Sequence, residues 1–304
     1  MEPSEQVATR AGFVALIGAP NAGKSTLLNA LVGSKVSIVS RKVQTTRALV
    51  RGIAIEGGAQ IVFVDTPGIF RPKRRLDRAM VTSAWGGAGD ADAVCFLVDA
   101  RKGLDEEAEA ILRRLPELKQ PKILVLNKID LMERSRLLER AAAFNAAVPF
   151  AHTFMISALT GDGTAALKTQ LAGMMPEGPW LYPEDQISDA PLRMLAAEIT
   201  REKIYERLHE ELPYESTVET DQWQQRPDGS VRIEQTIFVQ RESQRKIVLG
   251  KSGQTIKAIG QSARKEIAEI AEAPVHLFLF VKVRENWGDD PERYREMGLE
   301  FPRG

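Results

Sequence analysis

Gly18-Ala19-Pro20-Asn21-Ala22-Gly23-Lys24-Ser25-Thr26 decides how the first half of this chain is read. Gly18 to Ser25 fits G-x-x-x-x-G-K-S, directly after the strand-like run Phe13 to Ile17 and before a helical segment. In that context glycine lets the backbone wrap closely, so that successive N–H groups and a helix N-terminus converge on anionic oxygens. The expectation is a phosphate-binding loop running from Gly18 through Gly23 to Thr26, in which Lys24 neutralises the outer phosphates and the Ser25 hydroxyl ligates Mg²⁺. Pro20-Asn21 is not needed for that task.

Outward from this loop, Gly12 to about Met175 alternates short apolar runs with longer amphipathic segments. The runs are Phe13 to Ile17, Ile61 to Val64, Val94 to Val98, Ile123 to Leu126 and Thr153 to Ile156. Such runs suit a mostly parallel sheet covered on both faces. Ala48 to Glu56 alternates instead and meets Gly57-Gly58, which reads as an antiparallel hairpin at the sheet edge. Residues 1–175 are therefore expected to form an α/β domain.

The stretch 176–191 carries four prolines among turn formers and reads as a linker. Residues 192–304 follow as a smaller α+β domain with a C-terminal tail. A helix is expected over Leu192 to Leu212, strands over Tyr214 to Gln224 and Val231 to Gln240, a helix over Gln254 to Ala271 and a strand over Val275 to Val283. A short segment ending at Leu249 and the loop Gly250-Lys251-Ser252-Gly253 come between, giving the order α-β-β-α-α-β.

The chain's 304 residues, 43% of them hydrophobic, suffice for two cores, and 41 basic residues balance 41 acidic ones. No whole-protein field draws it to nucleic acid or membrane, so any such affinity is local. The single Cys95 lies in an apolar run, which excludes a disulfide framework and reads as an inert buried thiol in a reducing compartment. The N-terminus lacks the apolar core of a signal peptide, and no run is long enough to span a bilayer. A cytoplasmic protein is expected.

Four further pieces support the loop. Asp65-Thr66-Pro67-Gly68 follows the Ile61 run, where Asp65 can hold a Mg²⁺ shell through water and the Gly68 N–H can sense a γ-phosphate; alone it could be a surface turn. Asn127-Lys128-Ile129-Asp130 ends the Ile123 run, where Asp130 can accept two hydrogen bonds from guanine that adenine cannot offer; alone it could be a helix cap. Ser157-Ala158 closes the Thr153 run, where a backbone N–H could meet the guanine carbonyl. Gln44-Thr45-Thr46-Arg47 precedes the edge hairpin, and Thr46, favoured over Thr45, could complete the Mg²⁺ shell.

Their order along one domain resembles the five guanine-nucleotide motifs of the translation-factor-related GTPases, implying a Ras-like P-loop fold that binds GTP and GDP with Mg²⁺. In Ras-like switches a glutamine after the DxxG segment orients the attacking water. Here that residue is Ile69, which resembles the subgroup with a hydrophobic residue there. The same subgroup carries the asparagine of G-x-P-N-x-G-K-S, and the resemblance implies that Asn21 helps hold a K⁺ that stimulates hydrolysis. The alternative is that Asn21 tolerates an unusual loop dihedral. Asn21, Lys24, Thr46 and Gly68 are the expected catalytic set.

Ile247 to Gly260 resembles the core of a KH domain, and the element order matches its type II form. There the small glycines would let a sugar-phosphate backbone lie against the loop. Arg241, Arg245, Lys246, Lys251 and Lys257 focus positive charge beside Gly250, Ser252 and Gly253, whereas Glu202, Glu206, Glu210 and Glu211 make the first helix acidic. One set of GTPase motifs before one such domain resembles the Era family, as do "SRKVQTTR", "ELPY", "EAPVHLFLFVKV" and "NW". That resemblance implies a GTP-hydrolysing switch, monomeric, that binds near the 3′ end of small-subunit ribosomal RNA and assists maturation of the small ribosomal subunit. It implies no DNA target and at most peripheral association with a membrane. The rival readings are a constitutive RNA-binding module whose nucleotide site is uncoupled, and a peripheral membrane GTPase.

Overall fold

The computed structural model describes residues 9–40, 42, 45–208, 212–285 and 290–302. The expectations at Gln44, Glu210, Glu211 and Asn286-Trp287 lie outside the described residues. The contacts divide the chain into two compact units. One comprises Met1–Ser37, Thr46–Asp189 and Gly298–Gly304, and the other Ile38–Thr45 and Ala190–Met297.

The first unit runs β1 (Arg10–Gly18), α1 (Lys24–Val32), β2 (Val50–Glu56), β3 (Ala59–Asp65), α2 (Arg75–Gly89), β4 (Ala93–Asp99), α3 (Glu106–Leu112), β5 (Lys122–Asn127), α4 (Ser135–Ala147), β6 (His152–Ile156) and α5 (Thr164–Met174). The sheet order is β2-β3-β1-β4-β5-β6. Among the named strands of this sheet β2 pairs antiparallel with β3, and the other pairings are parallel. Every residue of β3 and β4 is buried, because helices cover both sheet faces and a strand so placed has no solvent side. One face carries Val14, Leu16, Ile61 and Phe63 against Leu27, Leu28 and Leu31 of α1. The other carries Ile17, Phe96 and Leu124 against Ala84, Ala88 and Phe144. Each fully buried Leu contributes roughly 1.5–3 kcal/mol, so α1 is fixed by its apolar stripe, and with it the loop before it. Cys95 is buried, and burial pushes its thiol up to about 12, as an inert thiol requires.

The proline-rich stretch expected as a linker is bonded along this unit. Ile53 N–H donates to the Ile187 carbonyl (2.9 Å), Gln60 accepts from the N–H groups of Leu181 and Tyr182 (2.8 and 3.0 Å), and Arg51 pairs with Asp189 (2.8 Å). Edge strand β2 is thereby covered along part of its length, as an exposed edge requires.

The second unit runs α6 (Leu192–Arg207), β7 (Ser216–Gln225), β8 (Val231–Val239), α7 (Glu242–Leu249), α8 (Gln254–Ile270), β9 (Val275–Val283) and α9 (Pro291–Glu296). Its sheet order is β7-β8-β9, antiparallel then parallel. Ile259, Ala263 and Ile267 recur every four residues on α8 and are all buried, so one stripe of that helix faces the sheet. α6 stops at Arg207, short of the expected Leu212. Pro213 disfavours helical backbone in the residue before it. This unit also contains the segment Ile38–Thr45. Ile38 packs with Ala196 and Ile199, Val39 N–H donates to Glu202 (2.7 Å), and the buried Arg201 donates to the Thr45 carbonyl (2.5 Å).

Candidate functional sites

The loop Gly18–Ser25 joins β1 to α1 as expected, and its glycines answer to the protein around them. Gly18 has φ +155°, and a Cβ there would meet the Leu97 carbonyl at 2.4 Å; Gly23 has φ +101°, and its Cβ would fall 2.2 Å from Asn127 Nδ2. Lys24 is buried, its Nζ donating to the carbonyls of Gly18 (3.2 Å) and Ala19 (3.1 Å). Desolvation lowers its pKa to about 8 against the attraction of Asp65. Thr26 lies in the first turn of α1.

Asp65 closes β3 inside this site. Its Oδ2 accepts from Ser25 Oγ (2.6 Å), Ser37 Oγ (3.0 Å) and Thr46 Oγ1 (3.4 Å), and Ser25 and Thr46 are themselves 3.0 Å apart. Its Oδ1 is buried with no hydrogen-bond partner in the protein. Burial raises the Asp65 pKa, opposed by Lys24 and by the three hydroxyls. Hydroxyls gathered on one carboxylate whose second oxygen has no partner in the protein suit a hard oxygen-seeking cation such as Mg²⁺. Thr45 stands elsewhere, bonded to Ser40 Oγ (2.7 Å) and the Lys42 carbonyl (2.8 Å). Sequence reasoning missed Ser37, which Asn29 holds in place by accepting its N–H (3.0 Å) and donating to its carbonyl (2.8 Å). No motif marks it.

The Asp65–Gly68 segment is set against the loop. A Cβ on Gly68 would come within 3.0 Å of Pro20, and Ile69 N–H donates to the Gly18 carbonyl (3.0 Å). The Ile69 side chain is buried in the core and is aliphatic, so it cannot hydrogen-bond an attacking water. Asn21 is exposed and has φ +62°. Asparagine is enriched in that region of backbone space, so the loop geometry alone gives a reason for this residue.

At the far end of the loop, Asn127 donates to the Ala22 carbonyl (2.9 Å) and accepts from the N–H groups of Lys128 (2.8 Å) and Ala158 (2.9 Å). Lys128, at φ +67°, reaches back to the Asn21 carbonyl (2.5 Å) and to Asp99 (2.9 Å). Asp130 stands exposed just beyond. Ser157 N–H donates to the Asp162 carbonyl (2.9 Å), so the N–H groups of both Ser157 and Ala158 are engaged within the protein. Ala158 thereby braces the Asn127 turn. Asp99 went unnoticed in the sequence. Burial acts to raise its pKa, but hydrogen bonds from Arg101 and Lys128 prevail and hold it down at about 2.

In the second unit Gly250 to Gly253 join α7 to α8. Gly250 has φ +72° and Gly253 φ +76°; a Cβ on Gly250 would meet Thr255 Oγ1 at 2.1 Å, whereas around Gly253 nothing lies within 4 Å. Ser252 also has positive φ (51°). Lys251, Ser252 and Lys257 are exposed at the loop, as are Arg241 and Lys246 on the approach. Arg245 is tied down, pairing with Glu242 (3.0 Å) and donating to the Val281 carbonyl of β9 (3.3 Å). Of the expected cations, it is the one turned toward the sheet.

A phosphate loop braced by an Asn-Lys-Ile-Asp turn, followed by a unit of α-β-β-α-α-β order with an exposed Gly-x-x-Gly loop, defines a P-loop GTPase carrying a KH domain. Family models agree: one described as "50S ribosome-binding GTPase" matches residues 13–128, and one described as "KH domain" matches residues 211–288. GTPase Era of Afipia carboxidovorans is 73% identical over 302 residues, 99% of this chain and 98% of its own. GTPase Era of Brucella suis is 70% identical over 299 residues, 98% of this chain and 96% of its own. Among solved structures, a variant of Aquifex aeolicus Era bound to GDP and AlF₄⁻ superposes with a TM-score of 0.91 at 40% identity, covering 95% of this chain and 99% of that one. Era in complex with MgGDPNP and nucleotides 1506–1542 of 16S ribosomal RNA gives 0.90 at 40% identity with the same coverage. The chain belongs to the Era family of GTPases. Among the described residues, no helix is long and apolar enough to cross a membrane.

Proposed function

We propose that this protein is a GTP-driven switch that binds ribosomal RNA near the 3′ end of the small-subunit RNA through its KH domain and assists maturation of the small subunit. The observation that carries the reading is the pairing, in one chain, of the Ser25–Thr46–Asp65 cluster beside the phosphate loop with the exposed cationic loop at Gly250–Gly253. The GTPase family model is described by the large subunit, but the Era relative bound to 16S ribosomal RNA matches across 95% of this chain and supports the small one.

Hydrolysis transfers the γ-phosphoryl group from GTP to water with GDP as the leaving group, and catalysis of that step is largely positioning and charge stabilisation. Lys24 and the loop N–H groups offset negative charge on the phosphates, and Asp130 accepts from guanine. Ser25, Thr46 and Asp65 would hold Mg²⁺, which neutralises phosphate charge when bound. Ile69 supplies no hydrogen bond to water, so intrinsic turnover is slow. In this reading the exposed amide of Asn21 helps ligate a K⁺ whose charge does the work of an arginine finger. Replacing K⁺ by Na⁺ at constant ionic strength then slows turnover with GTP affinity little changed, and Asn21→Ala loses most of that response. Equal rates in the two ions, with RNA absent and present, leave Asn21 as a residue of loop conformation only.

The switch itself is tested by measuring affinity for the 1506–1542 RNA with GDPNP and with GDP. Coupling must be reciprocal, so RNA must shift nucleotide affinity by the same factor. Identical RNA affinities in the two nucleotide states identify a constitutive RNA-binding module instead.

A further inference from the structure

β9 divides its side chains between two surroundings. Val275, Leu277, Leu279 and Val281 join the cores that α6, α7 and α8 complete, whereas His276, Phe278, Phe280 and Lys282 point to the other face of the sheet. On that face Phe278 is 42% and Phe280 48% exposed, and their row contains two basic-capable residues and no carboxylate. Exposed singly, such residues need no explanation; two aromatic rings in one row with a lysine beside them do. Arg232, in the neighbouring row of β8, sits over the Phe278 ring (4.8 Å to its centre) while pairing with Glu234. One side of that ring is therefore covered by a guanidinium.

β9 is also the edge strand, and α7, the helix that runs into the GxxG loop, is bonded to it. Arg245 of α7 donates to the Val281 carbonyl, whose neighbours in the chain are Phe280 and Lys282. Arg245 thus ties the helix that carries the loop to the strand whose other face bears the two rings. Alternate residues of a strand stand about 6.8 Å apart, too far for one base to cover both rings and enough for two nucleotides. A KH loop clamps about four nucleotides, so a longer strand has to leave the groove somewhere.

We propose that the outer face of β9 is a stacking platform for single-stranded RNA leaving the Gly250–Gly253 loop, with bases on Phe278 and Phe280 and a phosphate on Lys282. The proposal rests on the RNA-binding reading of that loop. Stacking on aromatic side chains tolerates any base, because each has a π-face. The platform therefore adds affinity for length and not for sequence.

The test compares unstructured RNAs drawn from the 1506–1542 region, one of about six nucleotides that fills the loop groove and one of about fourteen that reaches past it. The wild-type protein should bind the longer RNA more tightly. In Phe278→Ala/Phe280→Ala that gain should vanish, a loss of about fivefold or more for the long RNA, with binding of the short RNA, GTP hydrolysis and melting temperature unchanged. Phe280→Trp should show fluorescence quenched by the long RNA and not by the short one. A gain with length that survives the double variant overturns the proposal, as does a wild-type protein indifferent to length. Sedimentation that shows self-association lost in the double variant would make this face a protein interface instead. Gly253→Asp separates the two readings: the loop fails if this variant binds the short RNA as wild type does, and the platform fails on the length dependence alone.

Discussion

The loops Gly18–Ser25 and Gly250–Gly253 each open a helix and each hold glycine in the left-handed region, yet their surroundings differ. Behind Gly23 stands Asn127, close enough to forbid a methyl group; around Gly253 there is open space. Lys24 is buried against its own loop's carbonyls, whereas Lys251 is exposed. The first loop is braced from behind by Asn127, itself held by Ala158, while Lys128 ties its Asn21 carbonyl to Asp99. In the second, Thr255 closes on Gly250 and leaves Gly253 open. An enclosed loop of this kind suits one small ligand recognised atom by atom, and an open one suits a polymer that passes across it.

That contrast breaks first at base recognition. Asp130→Asn exchanges two acceptors for an acceptor and a donor, so GTP should lose its advantage over xanthosine triphosphate by roughly four orders of magnitude. Nucleotide titration checks this, and a variant that keeps its GTP preference removes Asp130 from the site.

Next comes Gly23→Ala, where the added methyl must displace Asn127 and the backbone is strained besides. Nucleotide affinity should fall more than tenfold and the melting temperature should drop. Gly253→Ala meets no such obstacle and should lose only about 1–2 kcal/mol to its backbone conformation. Equal destabilisation of the two variants in thermal melts would erase the distinction drawn between the loops.

Gly253→Asp carries the comparison to function. Bulk and negative charge beside a phosphate should weaken RNA binding tenfold or more while GTP hydrolysis without RNA stays near wild type. RNA affinity unchanged in a folded variant dismisses the loop as an RNA contact.

The smallest effect is expected at Asp99→Asn, which loosens Lys128 without touching the loop. GTP affinity should fall about fivefold, on the order of 1 kcal/mol. Because the Asp99 carboxyl is held at about 2, below its ordinary 3.8, its contribution to stability is complete above about pH 5. The stability gap between wild type and this variant should therefore be constant there and close as pH falls toward 2. Acid titration of melting temperatures checks the sign.

The sequence makes the bracing residues visible only when a motif contains them. Asn127, Lys128 and the phosphate loop announce themselves by spacing after apolar runs, and β1, β3, β4, β5 and β6 follow from those runs. Ser37 and Asp99 do not, because each acts through a partner far away in the chain: Ser37 on Asp65, Asp99 on Lys128. The proline-rich stretch misled for a related reason. Its composition reports the loss of a local period, while its hydrogen bonds to Ile53 and Gln60 are long-range. Positive φ at Asn21 was legible as an alternative, and the structure has it.

The segment Ile38–Thr45 has a consequence for how the chain is made and cut. It is synthesised before the body it belongs to, which is formed by Ala190–Met297, and Gly298–Gly304, synthesised after that body, belongs to the earlier one. Neither body is one continuous piece of polypeptide. During synthesis Ile38 waits for α6 to emerge before it finds Ala196 and Ile199. A fragment that begins at Ala190 therefore lacks a buried isoleucine of its own core, and the two halves obtained by cleavage after Asp189 are each missing a part that the other one carries.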